Sequence, residues 1–320
     1  MTMVVRHPEM LPEPSRAIRL WRLMSHQATH SPALAVCLLF LAVVAMLAIV
    51  APLLPYDAYK QDILHRNALP SARHWLGTDE LGRDMVARLA VGARVSLVVA
   101  ILSTAIALAI GVMVGMVSGF VGGRTDALVM RFVDSMYAFP DTLFAILIAG
   151  LVKGQLSGQA SGILEPLAAA YRMSGGLLGV LLTLSLTSWL TTARLVRAQV
   201  MALKHSEYVL ASRLSGAGHW LIIRTHILPN CLPIIIVSAT FVIPSAILLE
   251  AGLSFLGVGV DPPTPSWGTM IATGVQSIQA YPHLLMMPAL AIGLTLLAFN
   301  VAGDALRDLF DPALSGQRGA

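Results

Sequence analysis

Six apolar runs separated by short polar stretches set the rhythm of this chain: 33–54, 95–119, 127–152, 177–196, 232–255 and 284–303. Each reaches about 20 residues or more, the length at which an α-helix crosses ~30 Å of hydrocarbon at ~1.5 Å per residue. The pattern predicts an all-α polytopic membrane protein with six transmembrane helices. The third and fifth runs are the most interrupted, by Asp134, Pro140 and Asp141 and by Pro244 and Glu250. Residues 1–32 precede the first run, and from Ser15 to Met24 arginines alternate with Ile, Leu and Trp. That suits a short helix lying in the cytoplasmic interface. The first run is longer than the ~7–15-residue apolar core of a signal peptide, so it is read as a retained span.

One polar stretch stands out among the apolar runs. Residues 207–229, EYVLASRLSGAGHWLIIRTHILP, contain a short amphipathic segment, a Gly216-Ala217-Gly218 break and a second segment reaching Pro229. Glycine permits the bend, and proline is expected to end the second helix. Two short helices at an angle, held at the membrane surface by flanking spans, make a knob for a soluble partner.

Composition agrees with the pattern. The chain is 56% hydrophobic and 12% charged, with a mean hydropathy of +0.75, outside the range of ordinary soluble domains. Thirteen of the 21 Lys and Arg fall on one side if the N-terminus is inside. The basic excess favours both termini in the cytoplasm, and it places the knob there too. The expected organisation is a cytoplasmic segment 1–32, a six-helix transmembrane domain 33–304 with an outer loop 55–94 and a cytoplasmic loop 204–230, and a cytoplasmic tail 305–320. The net charge of +4 comes largely from residues flanking the spans, and no basic stripe interleaved with aromatics points to nucleic acid.

Candidate chemistry is sparse. None of the three lysines, Lys60, Lys153 and Lys204, lies in a glycine-rich phosphate loop, so no ATP-hydrolysing motif is present. No nucleophile–base pair and no metal-ligand spacing occurs; Cys37 and Cys231 are isolated. Expected catalytic and metal-binding residues are therefore none. Ser103, Ala107, Gly111, Gly115 and Gly119 place a small residue at every fourth position of the second run, a face suited to close helix packing or to a sliding contact. Intramembrane acids invite a functional role because charge in lipid is costly. Asp134 and Asp141, seven residues apart, fall near one helical face. Asp141 and Glu250 are candidate pathway residues, Glu250 suiting either pore lining or a helix–helix contact. A proton-coupled secondary transporter would use such acids as a relay.

Four stretches together resemble one family: His74 to Leu97 (HWLGTDELGRDMVARLAVGARVSL), Ala193 to Asn230 around the knob, Glu250 to Ile271 (EAGLSFLGVGVDPPTPSWGTMI) and Leu297 to Pro312 (LAFNVAGDALRDLFDP). The chain resembles the C-type permease subunit of bacterial ATP-binding-cassette importers for dipeptides, oligopeptides or nickel. The resemblance implies the type I importer transmembrane fold in the bacterial inner membrane. It also implies a heterodimer with a second homologous permease, two ATPase subunits that bind ATP and Mg, and a periplasmic or extracellular substrate-binding protein. No cofactor is then expected in this chain, and peptide is the expected cargo, with nickel the alternative. The knob becomes the loop that docks on the ATPase, with Glu207, Tyr208, Leu210, Ala211, Ser212, Gly216, Leu228 and Pro229 as coupling residues. Where the family pattern carries a glutamate this chain has Leu210, and where it carries an isoleucine it has His226. The segment 153–176 is longer than the family pattern leads one to expect and is read as a tolerated outer insertion, with contact to a binding protein as the alternative.

Overall fold

A computed structural model describes residues 31–158 and 164–310; the interfacial helix expected at 15–24 lies outside the described residues. The helix α1, Pro32–Val50, starts at Ser31, whose hydroxyl accepts from the Leu34 N–H, with proline in the first turn where its missing N–H costs nothing. The longest, α2, spans Met85–Val121. A pair follows, α3 (Gly123–Tyr137) and α4 (Asp141–Leu156), then α5 (Glu165–Met173) and α6 (Leu177–Leu203). The knob is α7 (Glu207–Leu214) and α8 (His219–Ile222), joined through a π-helical turn at Ile223–Ile227 to α9 (Leu228–Phe255). The chain closes with α10 (Trp267–Gln276) and α11 (His283–Phe310).

Five helical stretches are long and apolar enough to cross a membrane, and α3 with α4, bent by 89° at their junction, passes the same test only as a pair, a sixth when the two are taken as one broken span. Five of the six apolar runs therefore correspond to unbroken spans with shifted ends. The third run does not: it is broken around Pro140, which fits the bias of a pre-proline residue away from helical backbone. Asp134 and Asp141 consequently lie on different helices, and the shared face expected of them does not exist.

The fifth run is also different. Pro229 does not end a helix; the stretch His219–Phe255 runs on as a single span. The π-turn explains this. The Leu228 N–H donates to the Ile223 carbonyl, a wide turn that leaves room where proline brings a ring and no donor. The second helix likewise begins at Met85 instead of 95. Arg88 and Arg94 disguise that extension as loop, but Arg88 is buried, its guanidinium 3.2 Å from Asp79. Asp84 supplies the cap, accepting from the Ala87 N–H at 2.9 Å.

Two buried clusters organise the bundle. One joins α1, α2, α4, α6 and α9, including Val44, Val99, Ala145, Leu184 and Ile247. The second sits at the knob end of α2 and α6. Many side chains pointing away from these clusters are large and apolar, such as Leu39, Leu128 and Phe132 at 66%, 69% and 58% exposure, as lipid or a partner helix requires.

The insertion 153–176 is not a loose loop. It contains α5, and it is fastened to the α9–α10 connection. Lys153 Nζ lies 2.7 Å from the Asp261 carboxylate, the Tyr171 hydroxyl donates to Asp261 at 3.0 Å, and the Asp261 N–H donates to the Gly175 carbonyl at 2.9 Å. Burial, with Asp261 beside it, raises the Tyr171 phenol above the ordinary tyrosine range.

Candidate coupling site and translocation cavity

The knob is built as a rigid root with an exposed face. Gly216 holds φ +81°, where a side chain is strained, and closes α7 in a Schellman turn. The Ala217 N–H donates to the Ser212 carbonyl at 3.1 Å, and the Gly216 N–H to Arg213 at 3.0 Å. Val209, Ile222 and Ile227 are fully buried against Met116 and Phe120 of α2 and Val196 and Val200 of α6. The His219 ring meets Phe120 edge-on at 5.5 Å. On the opposite side Tyr208, Leu210, Leu214 and Trp220 are 42%, 44%, 90% and 74% exposed.

The structure divides the eight coupling candidates. Glu207, Tyr208, Leu210, Ala211 and Gly216 are exposed, whereas Ser212, Leu228 and Pro229 are half-buried. Leu228 packs on the root cluster, so its place is beneath the knob. A Cβ built on Gly216 would meet nothing within 4 Å, so the glycine is required by its backbone and not by crowding inside this chain. Leu214 and Trp220 belong to the same exposed face. The amphipathic pattern, with Val209 inward and Leu214 left over, was the signal for them.

The small-residue stripe packs on α6. A Cβ at Gly111 would come within 2.8 Å of the Trp189 carbonyl, one at Gly115 within 2.6 Å of the Ala193 carbonyl, and one at Gly119 within 2.9 Å of the Arg197 carbonyl. Ser103 and Ala107 are buried on the same helix. Backbone therefore touches backbone along successive turns, which only small residues allow. Ion pairs flank the contact. Arg197 Nη2 reaches Asp126 at 2.6 Å, while Arg194 pairs with Asp134 at 2.5 Å and lies 3.7 Å over the Tyr137 ring.

A cavity of about 610 Å³ opens between α4, α6 and α9. Asp141 lines it, together with Tyr137, Thr187, Ser188, Thr191 and Ser245 among apolar side chains. A second space of about 630 Å³ adjoins it through the shared Thr191, Phe241 and Val242 and carries Gln199, Asn230 and Arg307. The hydroxyls were missed in the sequence, although Thr187 and Thr191 stand one helical turn apart inside an apolar run.

Glu250 lines neither cavity; of the two places expected for it, pore lining and a helix–helix contact, its position fits the second. It is fully buried. Ser96 of α2 donates to Oε2 at 3.0 Å and Ser254 to Oε1 at 2.8 Å. Those hydroxyls in turn accept from the Trp267 and Val260 N–H groups, at 3.3 and 3.2 Å. The carboxyl thus ties α2 and α9 to the start of α10. Burial with satisfied partners is what makes this a packing group. Glu250→Ala should cost about 2–4 kcal/mol, because it empties a buried site and strands hydroxyls. A lowered unfolding midpoint in detergent checks this, and an unchanged midpoint contradicts it.

Among the described residues no group of three His, Cys, Asp or Glu is placed to hold a metal ion. Cys37 and Cys231 are both free thiols.

The comparisons with known proteins follow the same outline. The family model described as binding-protein-dependent transport system inner membrane component matches residues 111–316. The oligopeptide transport system permease protein OppC of Bacillus subtilis (strain 168) is 37% identical over 93% of this chain and 92% of its own length. The dipeptide transport system permease protein DppC of the same organism is 40% identical over 87% of this chain and 80% of its own. The nickel transport system permease protein NikC of Escherichia coli (strain K12) is 37% identical over 86% and 94%. With five unbroken helical spans and a bent pair, a protruding helix–turn–helix and relatives matched over most of their length, the chain belongs to the inner membrane components of binding-protein-dependent transport systems, as a permease subunit of the peptide and nickel importer type.

Proposed function

We propose that this chain forms half of a membrane pathway for peptides. A second, homologous permease supplies the other half, and a substrate-binding protein delivers the cargo to the outer face. Two ATPase subunits, which hold the ATP and Mg, grip the two knobs; this chain performs no chemistry. Both termini and the knob face the cytoplasm, in accord with the basic excess there.

The observation that carries the proposal is the knob itself. Its root is locked into α2 and α6 while its face is exposed and apolar. When ATP draws the ATPases together, a knob so rooted passes their displacement to α6, which lines the cavity, and to α2 packed along it. A rigid connection is needed because coupling requires each ATPase state to favour a different arrangement of the spans.

The relatives are named for peptide and for nickel systems alike, so the cargo rests on the cavity. Hydroxyls spaced among apolar walls suit a backbone with side chains, whereas a bare divalent cation needs several converging donors. Uptake of labelled tri-alanine and of nickel, in cells with and without the complete transporter, tests this. Transporter-dependent uptake of the peptide is expected. Uptake of nickel alone would overturn the peptide assignment.

A further inference from the structure

We infer that Asp141 is the subsite for the cationic amino terminus of the cargo; this rests on the peptide reading. The carboxyl stands at the break between α3 and α4, where the span bends by 89°. It is exposed within the bundle and lines the 610 Å³ cavity. It carries the one charged side chain in that lining, all other lining residues being hydroxyl-bearing, apolar or glycine.

The neighbouring acids have structural occupations that Asp141 lacks. Asp126 is held by Arg197, Asp134 by Arg194, and Glu250 by two serines. Asp141 forms no ion pair among the described residues, although a lone intramembrane charge is costly. The first turn of α4 partly offsets that cost, since its free N–H groups favour negative charge nearby. An anionic ligand drawn by the same N–H groups would meet the carboxylate first, which leaves a cation as the matching partner.

The adjoining space adds the opposite charge. Arg307 is the one charged residue lining it, and the two spaces share Thr191, Phe241 and Val242. An acid and a base lining two adjoining spaces match a zwitterion, with its ammonium at Asp141 and its carboxylate toward Arg307. A metal ion has no use for the arginine.

The test uses the assembled permease–ATPase complex in nanodiscs, without binding protein, so that only the cleft selects. The probes are an alanine-containing tripeptide bearing benzoyl-phenylalanine, with either a free or an acetylated amino terminus. Photolabelling of α4, α6 and α9 is read by peptide mass spectrometry. The wild type is expected to take label from the free-amine probe about tenfold more than from the acetylated one, as loss of a charge-assisted contact implies. Asp141→Asn should erase the preference, and Asp141→Glu should keep much of it. Equal labelling by both probes in the wild type, an unchanged preference in Asp141→Asn, or no cavity labelling in a complex that imports the tripeptide when binding protein is added, overturns the assignment. A complex that imports no tripeptide at all sinks the peptide reading instead.

Discussion

Gly115→Leu should leave little folded protein in the membrane. A Cβ at this position would lie 2.6 Å from the Ala193 carbonyl oxygen, 2.9 Å from the Val196 Cβ and 3.0 Å from the Arg197 nitrogen. Two of those three atoms are backbone, so no rotamer change relieves the overlap. The helices must part. Parting them loosens Gly111 and Gly119 on the same stripe and strips contacts from Val196 and Val200, on which the knob root sits. Overpacking in a close-packed interior costs about 1–3 kcal/mol, and more when backbone must move. A single monodisperse peak should be lost in fluorescence-detected size exclusion, with Gly115→Ala showing an intermediate loss. A normal peak for Gly115→Leu would mean that α2 and α6 slide freely past one another.

Gly216→Trp should do the reverse, sparing the fold and abolishing assembly with the ATPases. Nothing in this chain lies within 4 Å of a Cβ there, so the internal cost is the strain of a side chain at φ +81°, about 1–2 kcal/mol. The knob root, three fully buried aliphatic residues among others, outweighs that strain. What changes is the outer surface. An indole would project between the exposed ends of α7 and α8, where Leu214 and Trp220 already stand. Any partner closing over this turn would meet it. The variant should therefore insert, run as wild type in size exclusion, and lose at least tenfold of its bound ATPase. Full retention of ATPase would show that the turn stands clear of the interface.

How much of this was legible beforehand depends on what each residue signals alone. The spans showed because apolar length is a direct consequence of bilayer thickness. The knob showed because polar residues interrupted that rule and Gly216 marked its turn. Helix ends were misjudged where a charge was hidden by a partner distant in sequence. Arg88, neutralised by Asp79, reads as loop until the two are seen together. Pro229 was misjudged for another reason: a proline's effect depends on whether the turn before it can widen, and Ile223–Ile227 does. Asp141 and Glu250 look alike in sequence, both acids in interrupted apolar runs. Their difference lies in Ser96 and Ser254, which satisfy one and not the other. Ser254 stands one turn from Glu250, but Ser96 is 154 residues away, and that half of the partnership is invisible in the local sequence.

The most direct test of the coupling role is affinity purification of the tagged wild-type chain with its partner permease from membranes also containing the ATPase subunits, without cross-linking. Both ATPases should remain bound through size exclusion, and be lost from the Gly216→Trp sample handled in parallel. An intact, correctly inserted wild-type pair that carries no ATPase under conditions supporting transport would contradict the coupling role of the knob.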